Sequence, residues 1–489
     1  VLQSIKRLTK HSAVYGIGHI LSRSMGFLLL PIQTKYIPPD RYGIALMLIS
    51  SLAILNVVFS YGMDVAFLRF FIMGKDKREQ ARIFSTAHWM IFSTGILFAT
   101  LLFCFPEAFS RLILGNDHYG LLLRMSAGIC FFDAIRLLPF LALRSEEKSM
   151  SYVALNSLNI IATLGLNLLF VVVMRKDVEG IFLANLIASA FTVVTTIPVF
   201  KRWLRFSFSR EILTELLGFG LPYVPSGLAY VVMDQISRFF IARMINDAAA
   251  GIFSACYKLG MFMALVVAAF RFAWHPFFLS TLKQRDAPQV FARVLTYFLA
   301  VTGFFFLLVS VFLREIVHFR IGSFQLLDSR YVSGIGIVPI VLMCYILYGV
   351  YANFVVGIYL KKKTAWLVMF TGSGMLVTLA ANWALIPRFG IIGSAWATFL
   401  GYVTMATGLY FANQRLYPIP YEFKRIIKLI FVFGLVFVAG VVLGKDWNPL
   451  IRLGLILAAL PLLMTVHFFQ PGEKAVFLRL IGRMRIGLQ

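Results

Sequence analysis

The chain has 489 residues, 60% of them hydrophobic and only 14% charged, with a formal net charge of +25 at pH 7. Soluble domains hold about 45–50% apolar residues, and the mean hydropathy here is +0.84, so a soluble globular enzyme is excluded. The basic excess does not mark a nucleic-acid binder either, because no stretch between the apolar runs is long enough to form a basic domain.

Most apolar runs exceed the ~20 residues that cross a bilayer as a helix, and about fourteen transmembrane helices are predicted. The first, Ser12–Lys35, carries Arg23 near its middle and His19 one turn earlier on the same face, with Pro31 inside the span. Tyr42–Met63 and Ile83–Pro106 follow without a charge, and Asp64 and Arg69 sit just past the inner end of the second span. The fourth span holds Arg124, Asp133 and Arg136. Ser149–Met174 and Gly180–Phe200 are again free of charge. The seventh holds Asp234 and Arg238, and the eighth Lys258, Arg271, His275 and Pro276. The remaining six carry none: Val294–Leu313, Tyr331–Leu360, Thr364–Pro387, Phe389–Gln414, Leu429–Gly444 and Leu453–Gly472. The longest gaps are Lys201–Glu215, Arg314–Arg330 and the tail after Gln470. The expectation is one polytopic all-α integral membrane protein.

Topology follows from the loops. With the N-terminus in the cytoplasm, the inner loops hold 28 Lys and Arg residues and the outer loops 12. Basic residues are enriched on the cytoplasmic side of membrane proteins, so both termini are expected inside, and contact with anionic lipid heads is secondary. Arg23 in mid-span also argues against a cleavable signal. Cys104, Cys130, Cys256 and Cys344 lie in apolar spans without metal-ligand spacing and read as small packing residues. No cofactor is expected: there is no phosphate-cradling glycine loop, metal cluster or nucleophile elbow.

Charges inside spans cost roughly 2.5–3.5 kcal/mol each on insertion scales, so they face a partner or a water-filled path. Arg23 is far from either interface, and a guanidinium forms bidentate contacts with phosphate; the competing reading is a salt bridge to Asp133 or Asp234. Arg271 and His275 are i,i+4 neighbours, and Pro276 is placed to kink the helix beside them. Lys258 lies thirteen residues before Arg271, about 20 Å along the helix, and either reaches the same path or extends to the outer interface. Asp133–Arg136 at i,i+3 and Asp234–Arg238 at i,i+4 are spaced as intrahelical ion pairs; the alternative is a gate or titrating site. Asp64 and Arg69 are expected to cap or gate the cytoplasmic mouth, and Arg124 to be interfacial.

The sequence repeats weakly. Lys35–Ile44 aligns with Arg243–Ile252, matching Gly43 to Gly251. Thr163 and Asn167 align with Thr378 and Asn382, and Arg175 and Gly180 with Arg388 and Gly393. The offsets are 208, 215 and 213, six spans apart, which gives a parallel repeat about an axis along the membrane normal. The expected organisation is a six-helix lobe over 1–200, a second over 201–413, and a two-helix hairpin with a basic cytoplasmic tail over 414–489.

Leu21-Ser22-Arg23-Ser24-Met25-Gly26-Phe27, Pro39-Asp40-Arg41-Tyr42-Gly43 and Tyr61-Gly62-Met63-Asp64-Val65-Ala66-Phe67-Leu68-Arg69 carry a resemblance together with two later segments. These are Ala250-Gly251-Ile252-Phe253-Ser254-Ala255-Cys256-Tyr257-Lys258-Leu259 and Ile386-Pro387-Arg388-Phe389-Gly390-Ile391-Ile392-Gly393. Over about residues 5–415 the chain resembles the polysaccharide-transporter and Wzx-type flippases of the multidrug/oligosaccharidyl-lipid/polysaccharide (MOP) exporter superfamily. Ser22-Arg23 and Gly26-Phe27 also look like the first span of lipid II flippases, and fourteen spans match that branch. The resemblance implies a V-shaped pair of six-helix lobes that alternates between inward and outward openings. It implies translocation of an undecaprenyl-diphosphate-linked oligosaccharide, an O-antigen or other surface-polysaccharide repeat unit, across the bacterial cytoplasmic membrane. It favours cavity-facing basic residues in span 8, so the expected substrate residues are Arg23, Arg271, Lys258, His275 and His19. Proton or sodium coupling and contacts with other polysaccharide-assembly proteins stay open. A cation-coupled drug antiporter of the same superfamily is the first rival, but it calls for an acid in span 1, where Arg23 stands. A membrane glycosyltransferase or polymerase is the second; it needs a soluble acidic metal site or a large outer loop, and neither is present.

Overall fold

The computed structural model describes residues 25–282, 284–322, 324–361, 363, 365–444, 447–470 and 473. Helices dominate because a backbone in hydrocarbon must satisfy its own N–H and C=O groups. In chain order they are α1 (Leu30–Tyr36), α2 (Pro39–Ser60), α3 (Met63–Met73), α4 (Lys77–Cys104), α5 (Pro106–Leu114), α6 (Gly120–Ser145), α7 (Ser149–Asn167) and α8 (Asp177–Thr195). There follow α9 (Ile197–Trp203), α10 (Arg210–Gly220), α11 (Val224–Gln235), α12 (Ser237–Met244), α13 (Asp247–Gly260), α14 (Phe262–Thr281), α15 (Ala287–Val311) and α16 (Leu313–His318). The last are α17 (Val338–Phe354), α18 (Val356–Leu360), α19 (Trp366–Leu416), α20 (Phe423–Phe437) and α21 (Pro449–Thr465). The only strands among the described residues are two antiparallel pieces, Arg320–Ile321 and Phe324–Gln325.

Among the described residues, ten helical stretches are long and apolar enough to span a membrane, and α13 with α14 makes an eleventh, bent by 41°. The 51-residue α19 is two helices joined at Gly390, where the backbone leaves the helix with φ 58° and ψ −138°. Helix α21 is a shorter apolar helix of 17 residues. Most of the expected first span, with Arg23 and His19, lies outside the described residues.

The chain packs as two compact units. One comprises the described residues up to Ala273 together with His318–Leu416; the other comprises Trp274–Val317 and the described residues from Tyr417 onward. In the second unit, α15, α20 and α21 share a core of Leu307, Val311, Val432, Phe433, Val436, Ile456, Ala459 and Leu463. Arg425 binds both Glu422 oxygens at 2.9 and 2.8 Å, Glu473 at 2.8 Å and the Phe468 carbonyl at 2.9 Å. Arg452 pairs with Glu315 and donates to the Val311 carbonyl at 3.1 Å. Each arginine is buried and paired with a carboxylate that stays partly exposed, which is what makes it tolerable beside apolar packing.

In the first unit, the glycines aligned by the repeat meet face to face. A Cβ on Gly43 would lie 2.0 Å from the Asp247 carbonyl and 2.9 Å from Gly251 N. A Cβ on Gly251 would lie 1.9 Å from the Pro39 carbonyl and 2.9 Å from Gly43 N. Each glycine thus presses on the carbonyl four residues before its counterpart, as residues near a two-fold axis do. A second close approach joins Gly62, at φ 70°, to Gly220: a Cβ on Gly62 would sit 2.1 Å from the Gly220 carbonyl. Gly62 and Tyr61, both left-handed, separate α2 from α3. The two aligned asparagines also match: Asn167 donates to the Thr163 carbonyl at 2.9 Å and Asn382 to the Thr378 carbonyl at 2.8 Å.

Candidate substrate site

Asp234 is the penultimate residue of α11, which ends at Gln235, and after Ile236 the chain restarts at Ser237 in α12. Its carboxylate is buried and accepts from three phenols: Tyr257 at 2.8 Å, Tyr345 at 3.2 Å and Tyr402 at 3.5 Å. Gln235 supplies a fourth donor at 2.8 Å. The expected Asp234–Arg238 ion pair does not form. Arg238 instead donates to the main-chain carbonyls of Asp234 at 2.9 Å and Gln235 at 3.5 Å, and its guanidinium lies 4.9 Å from the Tyr257 ring centre. The interruption of the helix at Ile236 leaves carbonyls near the guanidinium, while the phenols already satisfy the acid.

Arg271 projects into the same tyrosine field. It donates to the Tyr348 hydroxyl, with its guanidinium 4.6 Å from that ring's centre. Tyr348 stacks on Tyr230 at 4.9 Å and lies parallel to Tyr351 at 6.2 Å, and its edge meets Tyr402 at 6.1 Å. One aromatic wall therefore runs from the acid Asp234 to the cation Arg271. Cation–aromatic contact and phenolic oxygens hold a guanidinium without neutralising it. The wall was not read from the sequence, though Tyr345, Tyr348 and Tyr351 at three-residue spacing on α17 were its visible signal.

Lys258 lies just before the bend at Met261, which falls between it and Arg271. Its ammonium donates to the Tyr42 hydroxyl at 2.8 Å, Tyr42 donates to Gln33 at 3.4 Å, and Gln33 to Asn167 at 3.3 Å. This chain ties span 8 to spans 1, 2 and 5 beside the Gly43–Gly251 crossing. The His275 side chain, like Arg23 and His19, lies outside what the structure describes.

In the fourth span Asp133 and Arg136 form their ion pair, Nε to Oδ1 at 2.9 Å, and Ser189 donates to the same oxygen at 2.9 Å. Asp64 and Arg69 do not pair with each other; the Arg69 guanidinium lies 4.3 Å from the centre of the Phe219 ring, near the Gly62–Gly220 approach. Arg124 is half-exposed, 3.9 Å from Glu107. Cys104 is exposed, and Cys130, Cys256 and Cys344 are buried and free.

Apolar helices of membrane-spanning length, joined by short basic loops and carrying cations and carboxylates within the spans, define a multi-pass membrane protein. The chain belongs to the polysaccharide biosynthesis protein family, whose profile matches residues 8–282. It is 22% identical over 288 residues to an Lsg-locus protein of Haemophilus influenzae, covering 57% of this chain and 68% of that one. Its fold is similar to the lipid II flippase MurJ in an inward closed conformation, with TM-score 0.74 and 14% identity over 96% of this chain and 99% of that one. It is also similar to an inward-facing multidrug resistance MATE family transporter of the MOP superfamily, with TM-score 0.66 and 13% identity over 80% and 94%. By family it is a polysaccharide biosynthesis protein, and its fold is similar to those of the MurJ and MATE structures.

Proposed function

We propose that this chain is a flippase that moves an undecaprenyl-diphosphate-linked oligosaccharide, an O-antigen or other surface-polysaccharide repeat unit, across the bacterial cytoplasmic membrane by alternating access. The observation that carries this reading is Arg271: a permanent cation set within a span against a wall of tyrosines, in a member of a polysaccharide family. A diphosphate supplies the charge that such a cation recognises. Arg23, in span 1, is proposed as its counterpart in the first six-helix lobe. A diphosphate bridging Arg23 and Arg271 draws the lobes together, so binding drives closure. Both termini face the cytoplasm in this reading, supported by the 28-to-12 loop bias.

The test is flipping by the purified chain in liposomes, using fluorescent undecaprenyl-diphosphate sugars. Transfer of such a lipid, lost in Arg271→Ala, is the expected result. Liposomes that flip none of them would sink the proposal. Similarity to MurJ along nearly the whole of both chains favours a second reading, lipid II as cargo, and lipid II therefore belongs in the same panel. Asp234, a buried carboxylate, is the observation that favours a cation-coupled antiporter; dye efflux from cells, without lipid flipping, would select it.

A further inference from the structure

Resting on the flippase reading, we propose that a pocket within the first six-helix lobe, lined by Asn56, Ser60, Asp133, Arg136, Tyr152 and Asn156, holds a neutral sugar ring of the cargo. Three helices build it, each with its polar residues at helical spacing: Asn56 and Ser60 on α2, Asp133 and Arg136 on α6, Tyr152 and Asn156 on α7. The cavity measures about 280 Å³, close to the lower bound of ~300 Å³ for small-molecule sites.

Helix α7 shows why this is a site and not packing. Its polar stripe runs Tyr152, Asn156, Asn159, Thr163 and Asn167, opposite a seam of exposed Ala154, Leu158, Ile161 and Gly165. Deep in the protein the stripe is satisfied internally: Thr192 donates to Asn159 at 3.0 Å, and Gln33 donates to Asn167 at 3.3 Å. At the pocket that pattern stops. The side-chain amides of Asn156 and Asn56 bond to no other described residue. Arg136, which lines the cavity, pairs through its Nε, leaving both terminal nitrogens without a described partner, and Asp133 uses only Oδ1. An ion pair that served packing alone would bury and saturate these atoms, because an unpaired polar group in an apolar span is costly.

The exposed groups match carbohydrate. Amides, a carboxylate oxygen and a guanidinium fork offer donors and acceptors side by side, and each sugar hydroxyl is both donor and acceptor. Tyr152 packs edge-to-face on Phe140, with centroids 5.5 Å apart at 82°, and presents an apolar ring surface to the C–H face of a pyranose. The Asp133–Arg136 pair is electrically neutral, so the pocket attracts neither a phosphate nor a cationic drug. It complements Arg271: the cation takes the diphosphate and the neutral pocket takes a sugar.

The test is saturation-transfer NMR on the full chain in lipid nanodiscs with free N-acetylglucosamine, N-acetylgalactosamine, galactose and rhamnose. At least one sugar should receive transfer. Asn156→Leu and Asn56→Leu should each cut it roughly fivefold, the loss of one hydrogen-bonding side chain, while Arg271→Ala leaves it unchanged. No transfer to any of the four sugars, or equal transfer in both asparagine variants and the parent, overturns the proposal. The diphosphate reading is judged separately: undecaprenyl diphosphate without a glycan should bind Asn156→Leu normally and Arg271→Ala weakly. Asn156→Leu keeps the ion pair intact, so its result does not depend on stranding Asp133.

Discussion

Gly43→Ala puts a methyl group where the structure has none to spare. The new Cβ would stand 2.0 Å from the Asp247 carbonyl oxygen, and ordinary carbon–oxygen contacts begin near ~3.3 Å. Helices α2 and α13 must therefore separate by roughly 1.3 Å, since the obstructing atom is backbone and cannot rotate away. Overpacking of this kind costs about 1–3 kcal/mol, and a penalty of that size on one state shifts a two-state equilibrium by roughly 5- to 150-fold. Gly251→Ala meets the mirrored contact at 1.9 Å from the Pro39 carbonyl and should have the same effect. The assay is hydrogen exchange of the amides of residues 42–46 and 251–255 in nanodiscs, alongside the flipping rate. Both variants should lose protection there by a factor in that range, while the core of α15, α20 and α21 keeps its own. Unchanged exchange at the crossing in both variants would refute the view that this contact holds the observed state.

Arg271→Ala should abolish transport with the protein still inserted, and Arg271→Lys should retain part of it, since the charge stays and the bidentate fork is lost; equal activity in Ala, Lys and parent removes the residue from the mechanism. Asp234→Leu strands three phenols, each unsatisfied buried group costing about 1–3 kcal/mol. It should therefore unfold in detergent well below Asp234→Asn, which keeps an acceptor; identical melting would contradict the hydrogen-bond account. At the second unit's Glu473, burial pushes the carboxyl up, but the Tyr297 hydroxyl, the Gln470 amide and Arg425 outweigh it and hold it below the ordinary glutamate range. A lowered folded-state value means its stabilisation is present above the unfolded value near ~4.3 and is lost as pH falls through the folded one. Exchange at the start of α20 should rise on acidification below about 4.3 in the parent, and Glu473→Gln should abolish that pH dependence. For topology, a cysteine at Asn448 should react with an impermeant reagent from outside and one at Lys361 should not; the reverse would invert the proposed orientation.

The sequence by itself determined the class. Apolar runs of bilayer length leave the backbone no choice but helices, although the breaks at Tyr61-Gly62 and Gly390 fall inside spans that read as continuous. The alignment of Gly43 with Gly251 was legible too, since glycine under a close crossing leaves a mark at a fixed offset. Side-chain partners were decided only by tertiary structure. Spacing at i,i+4 says that Asp234 and Arg238 can meet, but not that phenols from α13, α17 and α19 reach the carboxylate first. Lys258 on one helix gave no hint of Tyr42, 216 residues earlier. The pocket around Asn156 is likewise invisible along the chain, because an unpaired amide is defined by what three separate helices fail to offer it. Helical period is a property of a few consecutive residues, whereas satisfaction of a buried polar group belongs to the whole packed neighbourhood.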